Sequence, residues 1–416
     1  MLPITYLPIT YQRKNPSRLK FILLMVLVGL NLRPALSSLA PLLPRIAGEG
    51  ELSIVTLSLL TTLPVLCLGL FAPFAPWFAR KLGIERSLAL ALIVLSAGLA
   101  LRGIPTAPLL FIGTLLVGAA IGILGTLLPA LVKRELADSA DLMTGVYTMA
   151  LCLGGALGSG LSIPLANLLG SWSLSLMAWA GLALSALAAW WWVMPQPAPN
   201  SEHQASSGYA RALLSKPLAW QVMLLMGSQS SLAYIVFGWL PTLLVKQGYT
   251  ENEAGWLMGG SILTQLISAL AAPWLARMNR DQRPALMAVF CLIAAGLLML
   301  LLGSPALRWP GAILLGLGQG GSFSLALTLI VLRSGNAKIA GELSALAQGG
   351  GYTLAALGPL AVGLMLDAGV GIQGITWLLL IILAFSACMA VLAGRQHRLE
   401  IDAKGGLITI DLRQGL

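Results

Sequence analysis

Charge is what this chain has least of. Of 416 residues only 10% are Asp, Glu, Lys or Arg, against roughly 25% in an ordinary soluble domain. Hydrophobic residues make up 57% of the chain. So little polar surface cannot cover so much apolar chain in water, and composition alone excludes a soluble enzyme, a disordered chain and a coiled coil. Acid is scarcer than base, with 15 Asp and Glu against 25 Lys and Arg and a net charge of +10. The two histidines, His203 and His397, both fall in polar stretches. Four cysteines, Cys67, Cys152, Cys291 and Cys388, each stand alone in an apolar run, with no CxxC and no Cys/His cluster. They read as small buried hydrophobes without a redox or metal role, and nothing calls for a cofactor.

What is abundant is long uncharged apolar runs, the mark of a polytopic helical membrane protein rather than an outer-membrane barrel. At about 20 residues per crossing, spans fall near 21–43, 54–77, 87–103, 107–131, 142–168 and 172–193. Six more fall near 217–244, 253–276, 284–303, 309–332, 339–366 and 374–394. The reading is an all-α membrane protein of twelve transmembrane helices. It divides into an N-terminal tail over 1–20, a six-helix bundle over 21–193, a Pro/Ser-rich linker over 194–216, a second bundle over 217–394 and a tail over 395–416. With the N-terminus inside, twenty of the 25 basic residues collect on one side, from Arg13, Lys14, Arg18 and Lys20 to Arg395, Arg398, Lys404 and Arg413. Only Arg45, Arg102, Lys246 and Arg308 fall on the other. The positive-inside rule therefore puts both termini in the cytoplasm. The net positive charge serves topology, not nucleic acid.

An internal repeat supports two halves. Ala75-Pro76-Trp77-Phe78-Ala79-Arg80 returns as Ala272-Pro273-Trp274-Leu275-Ala276-Arg277. Gly118 and Gly122 return as Gly316 and Gly320, and Gly154, Gly155 and Pro164 as Gly350, Gly351 and Pro359. Three matches in one orientation at nearly one offset imply parallel, pseudo-symmetric halves related about the membrane normal. The glycines also give small-xxx-small spacing, from which spans 4 and 5 are expected to approach one another closely.

With this organisation the chain resembles the major facilitator superfamily. Pro76 to Arg86 stands where that family carries its loop signature after span 2: Lys81 and Gly83 match, whereas Arg80 occupies the Asp position and Ile84 and Glu85 replace the closing basic pair. More specific are Gly-Leu-Asn-Leu-Arg-Pro over 29–34, Leu-Val-Lys-Arg-Glu over 131–135, Gly-Trp-Leu-Pro over 238–241 and Ala-Gln-Gly-Gly-Gly-Tyr over 347–352. These resemble the bacterial cyanate/2-nitroimidazole transporter branch, from about residue 21 to about 394. The resemblance implies transport of cyanate or a related small monoanion across the bacterial inner membrane by alternating access. The alternative it leaves open is export of a neutral or weakly acidic aromatic such as a nitroimidazole. A gate set is implied at Arg80, Lys81, Gly83, Arg86, Arg277 and Glu342.

Arg33 is the most informative residue. The apolar run before it is 12 residues, Phe21 to Leu32, too short to cross, so the helix must continue and leave a guanidinium near mid-depth. Such a charge costs at least about 2.5–3.5 kcal/mol on insertion scales and persists only facing a bundle interior or water. Every Asp and Glu lies in a loop, a tail or a helix end, the nearest to a span interior being Glu342. The natural counter-ion is then an anionic substrate, matched by the planar guanidinium fork. Ser37 shares its face, and Pro34 should kink the helix by freeing the carbonyl of Leu30. Polar residues near mid-depth in other spans are candidates to line the same cavity: Gln229 and Tyr234 in span 7, Gln319 in span 10, Gln348 and Tyr352 in span 11, Tyr147 in span 5. Trp239, one turn outward, is a candidate lid. Gln265 in span 8 reads as packing. A membrane-embedded enzyme is disfavoured because no span interior holds a His, Asp or Glu. The partners expected are a small anionic or weakly acidic solute and lipid, with the chain acting as a monomer.

Overall fold

A computed structural model describes residues 17–49, 52–135, 140–194, 210–278, 281–402 and 406–411. Twelve helices among them are long and apolar enough to cross a membrane. In order they are Arg18–Gly48, Ile54–Leu82, Ile84–Leu101, Ala107–Pro129, Val146–Leu169, Trp172–Val193, Pro217–Lys246, Glu251–Ala272, Arg283–Leu301, Pro305–Leu332, Ile339–Asp367 and Ile372–Ala393. They are numbered spans 1 to 12 below. The end carrying Arg18 and Ala393 is called the near end and the opposite one the far end. Most of the stretch read as a linker, together with the first sixteen residues, lies outside the described residues.

Span 1 is not one helix. Arg18–Leu32 stops at Arg33, a short helix runs Pro34–Ser37, a 3-10 turn follows at Ala40–Leu42, and Leu43–Glu49 completes the crossing. Pro34 lacks the N–H that would bond the Leu30 carbonyl, and the break falls there. Gly154 of span 5 lies against that carbonyl so closely that a Cβ at 154 would collide with the Leu30 oxygen. One turn on, a Cβ at Gly158 would stand 2.7 Å from Pro34 Cα. The glycines of span 5 thus make room for the broken part of span 1. Those of span 4, Gly118 and Gly122, do the same for span 2 at Pro64, Cys67 and Phe71. Both stripes therefore serve other partners than the span 4–span 5 contact expected from their spacing, because a small-residue face fits any backbone that approaches it.

The first and second sets of six spans meet along two seams. Span 5 packs on span 8, where Ser159 Oγ donates to the Gly255 carbonyl at 2.9 Å and a Cβ at Gly259 would stand 3.0 Å from the Ala156 carbonyl. Span 2 packs on span 11, where Gly69 faces Thr353 and Gly349. The internal repeat maps span 2 onto span 8 and span 5 onto span 11, so each seam is the image of the other.

The chain after span 12 is more than a tail. His397–Ile401 (β1) and Leu407–Asp411 (β2) form an antiparallel hairpin. The hairpin docks on the loop after span 10: Leu399 N–H donates to the Arg333 carbonyl at 2.9 Å and Gly335 N–H to the Leu399 carbonyl at 2.8 Å. Arg333 beneath it donates to the Ala393 carbonyl at 2.8 Å and to Gln282 at 2.6 Å. Burial lowers its guanidinium to about 10. Alternation of Leu399 with polar neighbours in β1 is the available signal, in a stretch too short to stand out beside twelve spans.

The glycine contacts are directly testable. Gly154→Ala would force a methyl into the Leu30 carbonyl and should lower stability by about 1–3 kcal/mol, the usual cost of overpacking. Gly125→Ala in span 4, where nothing lies within 4 Å of a Cβ, should be neutral or gain up to about 1 kcal/mol of helix propensity. Thermal unfolding of the purified protein in detergent compares the two, and equal midpoints would refute this packing.

Candidate functional site

Arg33 ends the first helix of span 1 with φ −100° and ψ −32°. Its side chain reaches spans 7 and 8 of the second half of the molecule. Its Nη1 donates to Gln265 Oε1 of span 8 at 3.0 Å and lies 4.0 Å from Cys152 Sγ of span 5. The Arg33 Cζ lies over the Phe237 ring of span 7, 5.3 Å from its centroid, a favourable cation–π distance. Among the described residues no carboxylate pairs with Arg33. Nη2 and Nε have no hydrogen-bond partner among the same residues.

These groups border a cavity of about 60 Å³ lined by Arg33, Leu36, Ser230, Ala233, Tyr234, Phe237, Gln265, Gln319 and Phe323. At about 10–15 Å³ for each water-sized group, it holds a ligand of a few heavy atoms. Gln265 Nε2 donates onward to Gln319 Oε1 at 3.3 Å. Gln319 Nε2 is buried without a partner among the described residues, a state that costs about 1–3 kcal/mol unless a ligand or water accepts the bond. Beside Ser230, Gln229 Nε2 donates to the serine Oγ at 2.7 Å. A second void of about 20 Å³ adjoins on the other side of Tyr234 and Phe237, lined mainly by apolar residues of spans 1 and 2.

The residues singled out from sequence divide into three groups. Arg33, Tyr234 and Gln319 line the cavity. Tyr352 stands behind it, edge-on to Tyr234 with ring centroids 6.1 Å apart. The remainder serve contacts between or within helices. Ser37 Oγ donates to the Gly155 carbonyl at 2.8 Å, and Tyr147 packs on Gly29 of span 1. Gln229 faces Ser322 of span 10. Trp239 is fully buried and donates to the Pro359 carbonyl at 2.9 Å. Gln348 donates to Ser344 at 2.7 Å within its own helix. It sits in a π-helical turn, Leu346–Gly350, built by the glycines of the Ala-Gln-Gly-Gly-Gly-Tyr stretch, and such turns gather at functional positions.

Two residues of the site escape the sequence reading. Gln265, which reads as packing, is the one side chain in hydrogen-bond contact with both Arg33 and Gln319 among the described residues; a lone amide at mid-depth of an apolar span is its signal. Phe237 carries none, being one apolar residue among many. Arg102, a far-side charge by the positive-inside count, is fully buried. It donates to the Ala35 carbonyl at 2.7 Å and to Thr114 at 3.2 Å. It thus holds the broken segment just after Arg33.

At the ends the charges pair locally. Arg45 of span 1 meets Glu251 of span 8 at 2.6 Å and Asn167 of span 5 at 2.8 Å, a link across the two halves at the far end. Arg308 pairs with Glu253 at 3.1 Å. At the near end Glu85, standing where the loop signature would have a basic residue, is buried against Arg134 at 2.5 Å. Arg80 and Arg86 are exposed, and Lys81 lies over the Trp77 ring at 4.4 Å. Gly83 has φ +83°, a conformation that glycine adopts without strain. Glu342 is half-buried at the near end of span 11, and the side chain of Arg277 lies outside the described residues.

The Major Facilitator Superfamily model matches residues 23–355. Relatives across nearly the whole chain include the 2-nitroimidazole transporter of Escherichia coli (strain K12), 36% identical over 92% of this chain and 98% of its own. Others are the cyanate transport protein CynX of the same organism, 33% identical over 83% and 89%, and an uncharacterized transporter of Bacillus subtilis (strain 168), YycB, 36% identical over 89% and 91%. Among solved structures, a bacterial homolog of the human lysosomal transporter Spinster, inward-facing and occupied, superposes with a TM-score of 0.72 at 15% identity over 90% of this chain and 96% of that one. The nucleoside transporter NupG gives 0.71 at 14% identity over 90% and 98%. Twelve spans, two repeat-related seams and these matches agree: the chain is a multi-pass membrane protein that belongs to the Major Facilitator Superfamily.

Proposed function

We propose that this transporter carries a small, cyanate-like monoanion across the bacterial inner membrane by alternating access, acting as a single chain with both termini in the cytoplasm. One observation carries the reading. A guanidinium at mid-depth keeps donors free toward a cavity of a few heavy atoms, and no carboxylate among the described residues neutralises it. A charge held at this depth needs a counter-ion, and an anion that enters the cavity is one. The cavity draws Arg33 from the first half and Ser230, Tyr234, Gln265 and Gln319 from the second, so a ligand there touches both moving parts. The Arg45–Glu251 pair joins the halves at the far end, and both its side chains are 27% exposed. A pair so exposed contributes about 0–1 kcal/mol, weak enough to break in each cycle.

A second reading has its own observation. Phe237, Tyr234 and Phe323 make much of the wall aromatic, and one relative is a 2-nitroimidazole transporter. A planar ring could lie on these side chains with its nitro oxygens on Arg33. Competition of uptake by a panel of small anions and nitroaromatics separates the two.

Arg33→Ala should abolish substrate binding. Arg33→Lys should reduce it strongly, because an ammonium cannot offer two parallel donors, while both variants insert and fold. Uptake in proteoliposomes with Arg33→Ala as the blank reads this out, and normal transport by that variant would sink the anion site. Orientation has its own check. Reporter fusions after Lys216 and Gln396 should signal cytoplasm, and fusions after Glu51 and Ala368 periplasm; a cytoplasmic signal at Ala368 breaks the twelve-span topology.

Coupling follows from the same inventory. Proton-driven carriers need a group near mid-membrane that titrates around working pH. The span interiors contain no Asp, Glu or His, and the pKa of Arg is too high for it to serve. Either any pH dependence should come from the substrate's own protonation, or transport should run by anion exchange or passively down a gradient. A permanently charged anion should not accumulate under an imposed pH gradient at clamped membrane potential. Accumulation that survives neutralising both Glu342 and Asp141, the acidic residues that the sequence places at cytoplasmic helix ends, would reveal a proton site elsewhere.

A further inference from the structure

The hydrogen bonds around the cavity run in one direction, and that direction has a chemical meaning. Arginine carries donors and no acceptor. Gln265 must therefore turn its Oε1 to Arg33, as it does at 3.0 Å. Its amide is then fixed with Nε2 away from the guanidinium, and the group it meets must accept. That group is Gln319 Oε1, at 3.3 Å. Gln319 is fixed in turn, and its Nε2 is left at the end of the relay, buried and without a partner among the described residues. Its side chain is 4% exposed, so bulk water does not satisfy the donor.

The same logic holds on the opposite wall. Gln229 Nε2 lies between the Met226 carbonyl at 3.3 Å and Ser230 Oγ at 2.7 Å, and a carbonyl can only accept. Ser230 is therefore the acceptor of that bond, and its own O–H remains to donate toward the cavity it lines. Arg33 Cζ lies over the Phe237 ring, and Nη2 and Nε, without hydrogen-bond partners among the described residues, are the donors left for a ligand.

We infer that Gln265 is a positioning residue that sets the polarity of the site. Through its bond to Arg33 it turns Gln319 to present a donor, so that the cavity offers donors from Arg33, Gln319 and Ser230 on separate sides. The ligand class this wall accepts is a small linear or planar monoanion with acceptor atoms at more than one end. It favours such anions over neutral amides and alcohols of the same size, which bring acceptors but no charge for Arg33, and it rejects ammonium ions, whose donors would face donors. The inference rests on the anion site proposed above and adds what makes that site selective.

The test uses the full-length protein in detergent, with binding of cyanate, thiocyanate, nitrate and formate measured by calorimetry, and acetamide as the neutral probe of similar size. Gln265→Glu places a carboxylate on Arg33 and lets Gln319 turn its oxygen outward; affinity for the anions should fall at least tenfold and the preference over acetamide should shrink by a similar factor. Gln319→Leu keeps the net charge, removes one donor and should weaken the anions about three- to tenfold with acetamide unaffected. A merely structural role would lower both probes together, or neither, and that result overturns the relay. Arg33→Ala separates the two proposals. If it abolishes anion binding while both glutamine variants bind within twofold of the parent, the relay is wrong and the anion site stands. If the parent binds none of the four anions, or Arg33→Ala binds them as the parent does, the anion site falls and the relay with it.

Discussion

A guanidinium held near the middle of a low-dielectric layer, with no carboxylate among the described residues to neutralise it, is the constraint around which the rest of this molecule is arranged. The charge must be solvated by something, and the protein supplies only neutral groups: an amide oxygen, a thiol and the face of a phenyl ring. Each of these is weaker than an ion pair, so the residual demand for negative charge is not met from within. Span 1 breaks immediately after Arg33, between Leu32 and Pro34. The break then needs support. Pro34 causes it, Gly154 and Gly158 make room for it, and Arg102 holds the Ala35 carbonyl just beyond it.

That arrangement explains why small residues cluster where they do. Freed backbone carbonyls in an apolar layer must be covered closely or bonded, and glycine on the facing helix allows both. The same device recurs at the two seams between the halves, where Gly255 and Gly259 of span 8 and Gly69 of span 2 lie against backbone or small polar side chains. Contacts of this kind are made of shape rather than strong bonds. Two halves that meet through them, with one partly exposed ion pair at the far end, are joined without being locked.

The near end shows a different economy of charge. Glu85 and Arg134 pair between spans 3 and 4, within the first half, where the family's loop signature would place charge differently. Arg333 is buried beneath the terminal hairpin and spends its donors on Ala393 and Gln282. It anchors the loop after span 10 rather than facing solvent.

The sequence alone determined the solvent, the number of crossings, the break at Pro34 and the place of Arg33 midway along span 1, because these depend on composition, run length and the missing N–H of proline. All of them are local quantities. It also named Tyr234 and Gln319, since polar residues at mid-depth are expensive and therefore conspicuous. Which of the conspicuous residues share a cavity was not local. Ser37, Gln229, Trp239 and Gln348 satisfy the same cost by bonding a neighbouring backbone or side chain, and on a one-dimensional reading they look like ligands of the site. Only the tertiary structure brought span 8 beside span 1, joining Gln265 to Arg33 across 232 positions of chain and turning a residue that read as packing into the partner of the central charge. The face a helix shows its neighbours follows from how twelve helices fill one volume, and no single span encodes that.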